Sequence, residues 1–375
     1  MKKHLVFVGG GHAHLTALFR IKDYVDRGHR VTVISSSAYQ YYSGMGPGML
    51  SGIYRPQDIR FHIRKMVEER GGDFIEDRVI GIKPRERSLA LASGKNIGFD
   101  AVSFNIGSEV SDPSGGGGEG KIFTVKPIIN LLRAKSAIEN GIRQKNLRIT
   151  VVGGGPAGVE VTGNVWRLVK DMGGRAEITL AAGSRMLHAL PDRVRTIAQA
   201  SLLSRGIKVL EGRRVRRVEK EQVIFDDNSQ QGFDLCLIAT GVRPSTLFRD
   251  SGLPIGPDDG LLVNRHLQSI VYPEIFGGGD CISLEGHQLA KIGVYAVRES
   301  MILFNNLMSF LEGGALETFT PQKQYMLIFN LGNGQGILWR RNFVWHGRTA
   351  FLLKSYIDRK FMRTFQVSGE QLEQQ

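Results

Sequence analysis

The sequence predicts an α/β fold of two similar lobes, each a parallel sheet flanked by helices, followed by a small C-terminal α+β region. One unit occurs twice: an apolar strand, a glycine-rich turn, an amphipathic helix and a second apolar strand. The first unit places these elements at residues 4–8, 9–14, 15 to about 25, and 31–34. The second unit repeats the order at residues 147–152, 153–158, 159 to about 172, and 177–180.

The order of motifs predicts that the first lobe is discontinuous. A glycine-rich break at residues 114–118 separates the repeated units and is typical of a mobile connector. A later buried strand ends in a Gly-Asp turn at residues 279 and 280, which returns to the first lobe. We therefore expect the first lobe at 1–115 and 245–320, the second at 116–244, and a tail of two or three strands and a helix at 321–375.

Composition limits the classes of protein. With 42% hydrophobic and 23% charged residues, the chain of 375 residues is typical of a folded protein. Two cysteines cannot form a disulfide framework or a structural zinc site by themselves, which favours a reducing compartment. The net charge of +13 favours an anionic partner: nucleic acid, an acidic membrane or a phosphorylated cofactor. No export signal or membrane-spanning segment is predicted.

The two glycine turns predict phosphate binding. In such a turn the first glycine permits the bend, the second lets the backbone approach a pyrophosphate, and the third lets helix and strand pack closely. Gly153, Gly155 and Gly158 fit the whole pattern. The first turn has Gly9 and Gly11, but a histidine stands in the third place.

The order of four motifs resembles the pyridine nucleotide–disulfide oxidoreductase superfamily. The motifs are the first turn, the second turn, Ala239-Thr240-Gly241 and Gly279-Asp280, within residues 1–310. The resemblance implies two Rossmann-like dinucleotide-binding lobes, the first for FAD and the second for NAD(P)H. The FAD contacts that it implies are Gly9, Gly11, His12, Ala13 and Asp280. The nicotinamide nucleotide contacts that it implies are Gly153, Gly155, Gly158 and Gly241.

A closer resemblance, over nearly the whole chain, is to type II NADH dehydrogenase-like proteins of the branch found fused to selenophosphate synthetase. It is carried by the segments at residues 11–14, 42–48, 291–298 and 356–363. Related type II NADH dehydrogenases and sulfide:quinone oxidoreductases are monotopic membrane enzymes that pass electrons to quinone. The resemblance therefore implies a quinone-like acceptor.

The ribose positions depart from the usual pattern. An acidic residue normally follows the turn by about 20 residues and binds the ribose hydroxyls. The first lobe has Ser35 and Ser36 there, which can hydrogen-bond an FAD ribose. The second lobe has no carboxylate in this place but has Arg185, which is able to meet a 2′-phosphate. NADPH is slightly favoured over NADH, and weak binding of both stays open.

Cysteine chemistry is not predicted. Disulfide reductases of the superfamily need a close cysteine pair beside the flavin, and sulfide oxidation needs cysteines to carry sulfur. Cys236 lies in an apolar strand and Cys281 follows Asp280, so we expect both to pack in the interior. Electrons would then leave the flavin without a thiol relay.

Glu160 and Lys291 are the candidate catalytic residues. Glu160 follows the second turn by two residues, where it either stabilises the helix N-terminus or, as the resemblance implies, points towards the flavin. A helix from about Lys291 to residue 307 would aim its N-terminus at the flavin and stabilise its reduced form. Where quinone-reducing relatives carry glutamines, this chain has Val294 and Arg298, so a quinone acceptor rests on the resemblance alone.

No metal site is predicted. His12 and His14 flank one residue, but no third ligand is near in sequence, and a structural role beside the pyrophosphate is favoured. Lys126-Pro127 resembles a family motif whose role the sequence does not show.

The C-terminal helix predicts either a membrane contact or docking on the protein's own core. Leu353, Ile357, Phe361 and Phe365 form an apolar stripe that Lys354 interrupts. Basic residues lie to its other side: Arg359, Lys360 and Arg363. Such a helix suits an anionic membrane surface. Nucleic acid is not expected as a partner, because no binding module is present.

The sequence thus predicts an FAD-dependent NAD(P)H oxidoreductase that reduces a quinone-like acceptor. Two alternatives remain: a flavoprotein that oxidises a sulfur or selenium compound, and a flavin-bearing interaction protein that acts as a redox switch. The expected location is the cytoplasm, either free or at the inner face of the cytoplasmic membrane. The oligomeric state is not predicted.

Overall fold

A five-stranded parallel sheet organises the first part of the chain. The computed structural model describes residues 2–115, 120–322 and 324–373, so part of the predicted break at 114–118 lies outside the described residues. The elements of the first segment are β1 (His4–Val8), α1 (Leu15–Phe19), α2 (Ile21–Asp26), β2 (Arg30–Ser35), β3 (Tyr39–Tyr41), α3 (Gly46–Leu50), β4 (Arg60–His62), α4 (Ile63–Glu68), β5 (Asp73–Glu76), β6 (Val79–Lys83), β7 (Ser88–Leu91), β8 (Asn96–Gly98), β9 (Ala101–Phe104) and β10 (Glu109–Val110). β1 lies between β2 and β9, and its apolar residues are buried on both faces.

A second sheet has the same arrangement of four strands around its glycine turn. Its fifth strand (Ile122–Thr124) precedes the turn in sequence, whereas the fifth strand of the first sheet (Ile275–Gly277) comes last. Its segment contains β11 (Ile122–Thr124), α5 (Ile129–Ile142), β12 (Leu147–Val152), α6 (Pro156–Asp171), β13 (Ala176–Gly183), α7 (Asp192–Leu203), β14 (Lys208–Glu211), β15 (Val215–Val218), β16 (Gln222–Phe225), β17 (Gln230–Gly232), β18 (Leu235–Ile238), β19 (Val242–Arg243) and α8 (Leu247–Asp250). The strand order is β11-β18-β12-β13-β14, all parallel. In each lobe the strand after the glycine turn's helix therefore lies beside the strand that precedes the turn.

The rest of the chain completes the first sheet and adds a three-stranded antiparallel sheet near the C-terminus. Its elements are β20 (Leu261–Val263), β21 (Ile275–Gly277), β22 (Ile282–Leu284), α9 (Gly293–Glu312), β23 (Leu327–Asn330), β24 (Gly336–Arg340), β25 (Phe343–Gly347) and α10 (Arg348–Phe365). β21 pairs in parallel with β9, so the first sheet has the order β21-β9-β1-β2-β5. β23, β24 and β25 form an antiparallel sheet against which α10 packs. The predicted α/β class is confirmed, and the Gly-Asp turn does return to the first sheet.

Two predicted helix boundaries were wrong. The first helix is broken at Arg20, whose backbone (φ −108°, ψ 25°) is not helical, so α1 and α2 are separate. The late helix begins at Gly293, because Ile292 before it is extended (φ −134°, ψ 143°). Lys291 therefore precedes this helix. Among the described residues, no helix combines the length and apolar character needed to cross a bilayer.

The third position of each glycine turn brings helix and strand together in a different way. In the second turn, a Cβ on Gly158 would overlap the carbonyl oxygen of Gly153, so only glycine fits. In the first turn, His14 Nδ1 donates to the Gly9 carbonyl (2.6 Å), and its Nε2 accepts from Ser103 Oγ (2.8 Å). Burial lowers the pKa of His14 to about 4, which keeps the ring neutral for this arrangement. The histidine thus closes the turn by a hydrogen bond where glycine closes it by contact.

We expect Gly158→Ala to destabilise the protein strongly. The added methyl would push α6 off β12, and overpacking of this kind costs about 3 kcal/mol. Gly155→Ala is the matched control, because a Cβ there meets open space, and we expect it to cost under about 1 kcal/mol. Urea unfolding of the two variants measures the difference. Equal losses of stability would contradict the packing role of Gly158.

Candidate active site

Asn105 joins the first glycine turn to the Gly-Asp turn. Its side chain is buried at the end of β9. Oδ1 accepts the Ala13 N–H (3.0 Å), and Nδ2 donates to the Gly278 carbonyl (2.5 Å). Both backbone groups belong to buried residues and need a partner there. One carboxamide therefore fixes the position of two segments that are distant in sequence.

Three glycines pack against Asn105 where a side chain would collide with it. A Cβ on Gly9 would overlap the Asn105 carbonyl oxygen, one on Gly11 would overlap Oδ1, and one on Gly279 would overlap Nδ2. Gly9 and Gly279 also have φ values of 88° and 75°, which favour glycine. The backbone of both turns is thereby gathered around one residue: Gly9 packs on the main-chain carbonyl of Asn105, and Gly11 and Gly279 pack on its side chain.

Asp280 is held as an anion beside Asn105. Its Oδ2 accepts from Lys126 Nζ (2.8 Å) and from Ser108 Oγ (2.8 Å). Burial alone would raise the pKa of Asp280, but the Lys126 ammonium and the Ser108 hydroxyl hold it below its usual range. Lys126 belongs to the Lys126-Pro127 motif, whose role the sequence did not show. The structure gives its ammonium Asp280 as a partner.

His12 carries an unsatisfied nitrogen in the first turn. Its Nε2 is buried and has no hydrogen-bond partner within the described part of the chain. The ring lies edge-on to Tyr42, with centroids 5.2 Å apart, and burial lowers its pKa to about 4. A buried polar atom without a partner at the end of a glycine turn is typical of a ligand site.

The start of α9 faces the Gly-Asp turn across a small cavity. The cavity measures about 20 Å³, enough for one water, and Gly279, Asp280 and Ile292 are among its lining residues. Glu299 of α9 accepts the Gly279 N–H (2.5 Å), and burial raises the pKa of this carboxyl to about 7. Glu299 was not singled out by the sequence.

Lys291 is held at the edge of this cavity. Its Nζ pairs with Asp258 (2.6 Å) and donates to the Ile282 carbonyl. The candidate catalytic ammonium thus already has two partners from the protein.

The groups gathered around Asn105 fit the chemistry of FAD. Backbone N–H groups at a glycine turn suit a pyrophosphate, an anionic carboxylate accepts ribitol hydroxyls, and His12 has a nitrogen to offer. Ser35 and Ser36 lie at the end of β2, beside the turn, where the Gly9 N–H donates to the Ile34 carbonyl (2.8 Å).

The second glycine turn borders open space. A Cβ on Gly153 would overlap the Ala239 carbonyl, just as a Cβ on Gly9 would overlap the Asn105 carbonyl. A Cβ on Gly155 or on Gly241, in contrast, would have no atom within 4 Å. The space beside Gly155 and Gly241 leaves room for a ligand at the N-terminus of α6. Arg185 lies just beyond β13, where it forms an ion pair with Asp192.

Glu160 lies in a charged cluster between the two units. Its Oε1 accepts the Asn330 N–H (2.7 Å). Burial raises its pKa to about 7, although the nearby Lys354 ammonium opposes this rise. Glu160 is half-buried, so it is not sealed from solvent.

Lys354 and Asp358 of α10 complete this cluster. Lys354 Nζ donates to Asp358 Oδ2 (2.8 Å) and to the Gly44 carbonyl (2.7 Å). Tyr42 donates to Asp358 Oδ1 (3.1 Å), and its ring contacts His12. Burial alone would lower the pKa of Lys354, but Asp358 and Glu160 raise it above its usual range. Helix α10 thus connects Glu160 of α6, in the second lobe, with Gly44 and Tyr42 of the first lobe.

The predicted orientation of the C-terminal helix was wrong. The buried face of α10 consists of Ala350, Lys354, Asp358 and Met362. Lys354 does not interrupt an apolar face but lies at the centre of the buried one. Phe361 and Phe365 pack on the protein itself, against Phe61, whereas Ile357 is exposed.

The cysteines lie in the interior, as expected. Cys236 in β18 and Cys281 beside the Gly-Asp turn are both fully buried, and burial raises the pKa of each thiol to about 12. Neither is a thiolate at neutral pH. In residues 2–115, 120–322 and 324–373, no group of three or more His, Cys, Asp or Glu side chains is placed to hold a metal ion.

Comparisons with known proteins agree with this geometry. The family model described as pyridine nucleotide-disulphide oxidoreductase matches residues 3–299. Ferroptosis suppressor protein 1 of Xenopus tropicalis is 26% identical over 355 residues, covering 89% of this chain and 87% of that protein. The type II NADH:quinone oxidoreductase of Haemophilus influenzae is 30% identical over 192 residues, covering 48% of this chain and 43% of that protein.

The fold has a close structural neighbour. The sulfide:quinone oxidoreductase of Aquifex aeolicus superimposes with a TM-score of 0.81 and 15% identity, covering 98% of this chain and 92% of that one. At this identity the likeness concerns the fold.

We expect Asn105→Leu to lose both stability and flavin. The change leaves the buried Ala13 N–H without its partner, at about 1–3 kcal/mol. It also leaves the Gly278 carbonyl with only the weak donor of the Cys281 thiol (3.3 Å), and it frees the two turns. Asn306→Leu is the matched control, because Asn306 is also buried, with its amide on His266 and Glu317. The control should lose similar stability but keep its yellow colour. A flavin content of Asn105→Leu equal to that of the control would contradict the role given to Asn105.

Proposed function

The chain belongs to the pyridine nucleotide–disulphide oxidoreductase family, and on that basis we propose that it is an FAD-dependent NAD(P)H:quinone oxidoreductase. The observation that carries the proposal is the cluster where the two glycine-turn units meet. Glu160 from the second unit and His12 from the first are linked through Lys354, Asp358 and Tyr42. Hydride transfer between two nucleotides requires such proximity.

The first lobe is proposed to hold FAD, with segments 1–115 and 245–320. Gly9 and Ala13 hold the turn in place through their own hydrogen bonds to Ile34 and Asn105. The backbone N–H groups of Gly11 and His12 would bind the pyrophosphate, Asp280 the ribitol, and Ser35 or Ser36 the adenosine ribose. His12 Nε2 would find its missing partner there. Bound FAD supplies the redox chemistry, accepting hydride from the nicotinamide and delivering electrons to the quinone.

The second lobe, proposed as residues 116–244, would bind the nicotinamide nucleotide. The open space beside Gly155 and Gly241 lies at the N-terminus of α6, where backbone N–H groups favour phosphate. Gly153 and Gly158 make the turn tight enough to present those groups. The nucleotide is thereby aimed towards Glu160, on the first turns of the same helix.

Glu160 is proposed as the proton donor for quinone reduction. A quinone takes up protons as well as electrons, and a carboxyl with a pKa of about 7 is partly protonated at neutral pH. Lys354 is a positioning residue, since its ammonium keeps the pKa of Glu160 from rising further. Lys291 would act together with the N-terminus of α9 near the flavin, with its ammonium held in place by Asp258.

A sulfur or selenium donor is disfavoured by the two thiols. Cys236 and Cys281 are buried with a raised pKa, so neither is suited to carry sulfur. We place the chain in the selenophosphate synthetase-associated branch on its sequence motifs, among them Gly-His-Ala-His at 11–14.

An anionic membrane surface is the proposed docking partner. Large apolar side chains of β25 and α10 are exposed: Phe343, Trp345, Leu352, Tyr356 and Ile357. Four basic side chains of the same region are exposed too: Arg340 and Arg341, which line a groove with Phe343 and Trp345, and Arg359 and Lys360 of α10. Exposed apolar and basic groups in one region suit an acidic lipid surface, which would place the protein at the inner face of the cytoplasmic membrane.

The function is tested by anaerobic reduction of the purified flavoprotein. We expect NADH or NADPH to bleach the flavin and a soluble quinone to restore its colour.

Glu160→Gln should slow quinone reduction about 100-fold, the range of a lost proton donor. Wild-type turnover should fall as pH rises through about 7, because the carboxyl loses its proton, and the variant should lack this step. Asp171→Asn, at the other end of α6, is the control. A flavin that neither nucleotide reduces would overturn the proposal.

Membrane docking is tested with anionic and neutral vesicles. Each exposed apolar side chain contributes about 1 kcal/mol when it enters lipid, so we expect Phe343→Ser with Leu352→Ser to weaken binding by at least about tenfold. Ile80→Ser with Val271→Ser is the matched control, since both side chains are equally exposed elsewhere. Cosedimentation measures bound protein. Equal binding by the two double variants would exclude this surface.

A further inference from the structure

We propose that the nucleotide site of the second lobe selects NADPH, and that Arg213 and Arg214 bind its 2′-phosphate together with Arg185. The inference rests on the proposed function, because it names the nucleotide that the same site prefers. It adds two residues that follow β14 and lie far from the glycine turn in sequence.

The end of β13 lies where the adenosine ribose would bind. The Gly153 N–H donates to the Ala181 carbonyl (2.9 Å), and the Leu187 N–H donates to the Gly154 carbonyl (2.7 Å). The segment from Ala181 to Leu187 therefore wraps the glycine turn. A ribose bound at this turn would meet the side chains that follow β13, and none of residues 181–187 is acidic.

Backbone hydrogen bonds hold the two arginines beside this segment. The Gly212 N–H donates to the Ser184 carbonyl (2.9 Å), and the Arg213 N–H donates to the Gly183 carbonyl (3.0 Å). A Cβ built on Gly183 would be nearest to Cγ of Arg214, at 3.9 Å. Arg213 and Arg214 thus lie at the end of β13, although they follow the neighbouring strand.

Their charges are available to an anion. In the part of the chain that the structure describes, the Arg214 guanidinium forms no ion pair, although the Arg214 backbone N–H donates to Asp226 Oδ1 (3.3 Å). Arg213 meets Asp227 at 3.5 Å with both side chains half-exposed. Arg185 pairs with Asp192, whose side chain is 79% exposed. Exposed ion pairs contribute less than about 1 kcal/mol, so a phosphate dianion readily replaces such carboxylates.

Glu211 is the candidate carboxylate for binding the ribose hydroxyls of NADH, but it already binds other groups of the protein. Glu211 ends β14 opposite Gly183. Its Oε1 accepts the Met186 N–H (2.7 Å), and its Oε2 accepts from Arg195 Nη2 (2.8 Å). Both carboxylate oxygens therefore already hold groups of the protein, and binding the ribose hydroxyls of NADH would compete with these contacts.

The test uses nucleotide fragments that lack nicotinamide. We expect 2′,5′-ADP to bind the holoprotein at least about tenfold more tightly than 5′-AMP, the factor that one charge-assisted contact supplies. Added salt should reduce this ratio, because the contacts are exposed. Isothermal titration calorimetry measures both affinities without any turnover.

Two variants test whether the preference for the 2′-phosphate comes from Arg213 and Arg214 or from positive surface charge in general. Arg213→Gln with Arg214→Gln should lower the affinity ratio about tenfold or more and should leave the binding of 5′-AMP unchanged. Lys208→Gln is the control: Lys208 begins β14 at the opposite end and pairs with Glu177. It should leave the ratio as in the wild type. Both arginine side chains are exposed, so thermal unfolding should match the wild type.

Reduction of the flavin distinguishes this inference from the function on which it rests. We expect NADPH to reduce the flavin at lower concentrations than NADH, with the preference lost in the double variant. Equal affinity for the two fragments, or a preference that survives the double variant, would overturn the assignment and leave the proposed function intact. A flavin that neither nucleotide reduces would overturn both.

Discussion

The carboxamide of Asn105 is the contact on which the first site depends. It pairs one donor and one acceptor from two segments that the sequence separates by the whole second lobe. Gly11 and Gly279 fit against the carboxamide, and Gly9 fits against the main-chain carbonyl of the same residue, because a Cβ at any of these positions would collide with Asn105. The pairing of β21 with β9 brings the Gly-Asp turn close to the first glycine turn, and Asn105, directly after β9, joins the two turns by hydrogen bonds. One buried side chain thus positions the backbone groups of the proposed FAD site.

The two glycine turns show how one geometry is reached by different chemistry. Gly158 allows the Gly153 carbonyl to lie against α6, whereas His14 holds the Gly9 carbonyl by a hydrogen bond that its burial keeps neutral. A pattern that counts glycines scores the first turn as incomplete. The histidine fills the same position physically, so the departure from the pattern does not weaken the turn.

Local patterns predicted the fold, while the site required contacts between distant residues. The repeated strand–turn–helix unit indicated both sheets, and the Gly-Asp motif indicated the return of the chain to the first one. Asn105, Lys126 and Glu299 could not be assigned roles, because their partners lie far away in sequence. Lys354 was interpreted as a flaw in an apolar stripe, since helical spacing alone does not tell which face a neighbouring element covers.

Lys354, the residue that was misinterpreted, is the one that connects the C-terminal helix to Glu160. Burying an ammonium and a carboxylate costs more than packing apolar side chains in their place, so Lys354 and Asp358 add little to stability by themselves. Their contacts to Gly44, Tyr42 and Glu160 explain why charge lies there. The same contacts fix the rotation of α10 about its axis and thereby turn Leu352 and Tyr356 outward. One buried ion pair thus sets both the charge beside Glu160 and the apolar surface on the opposite side of the helix.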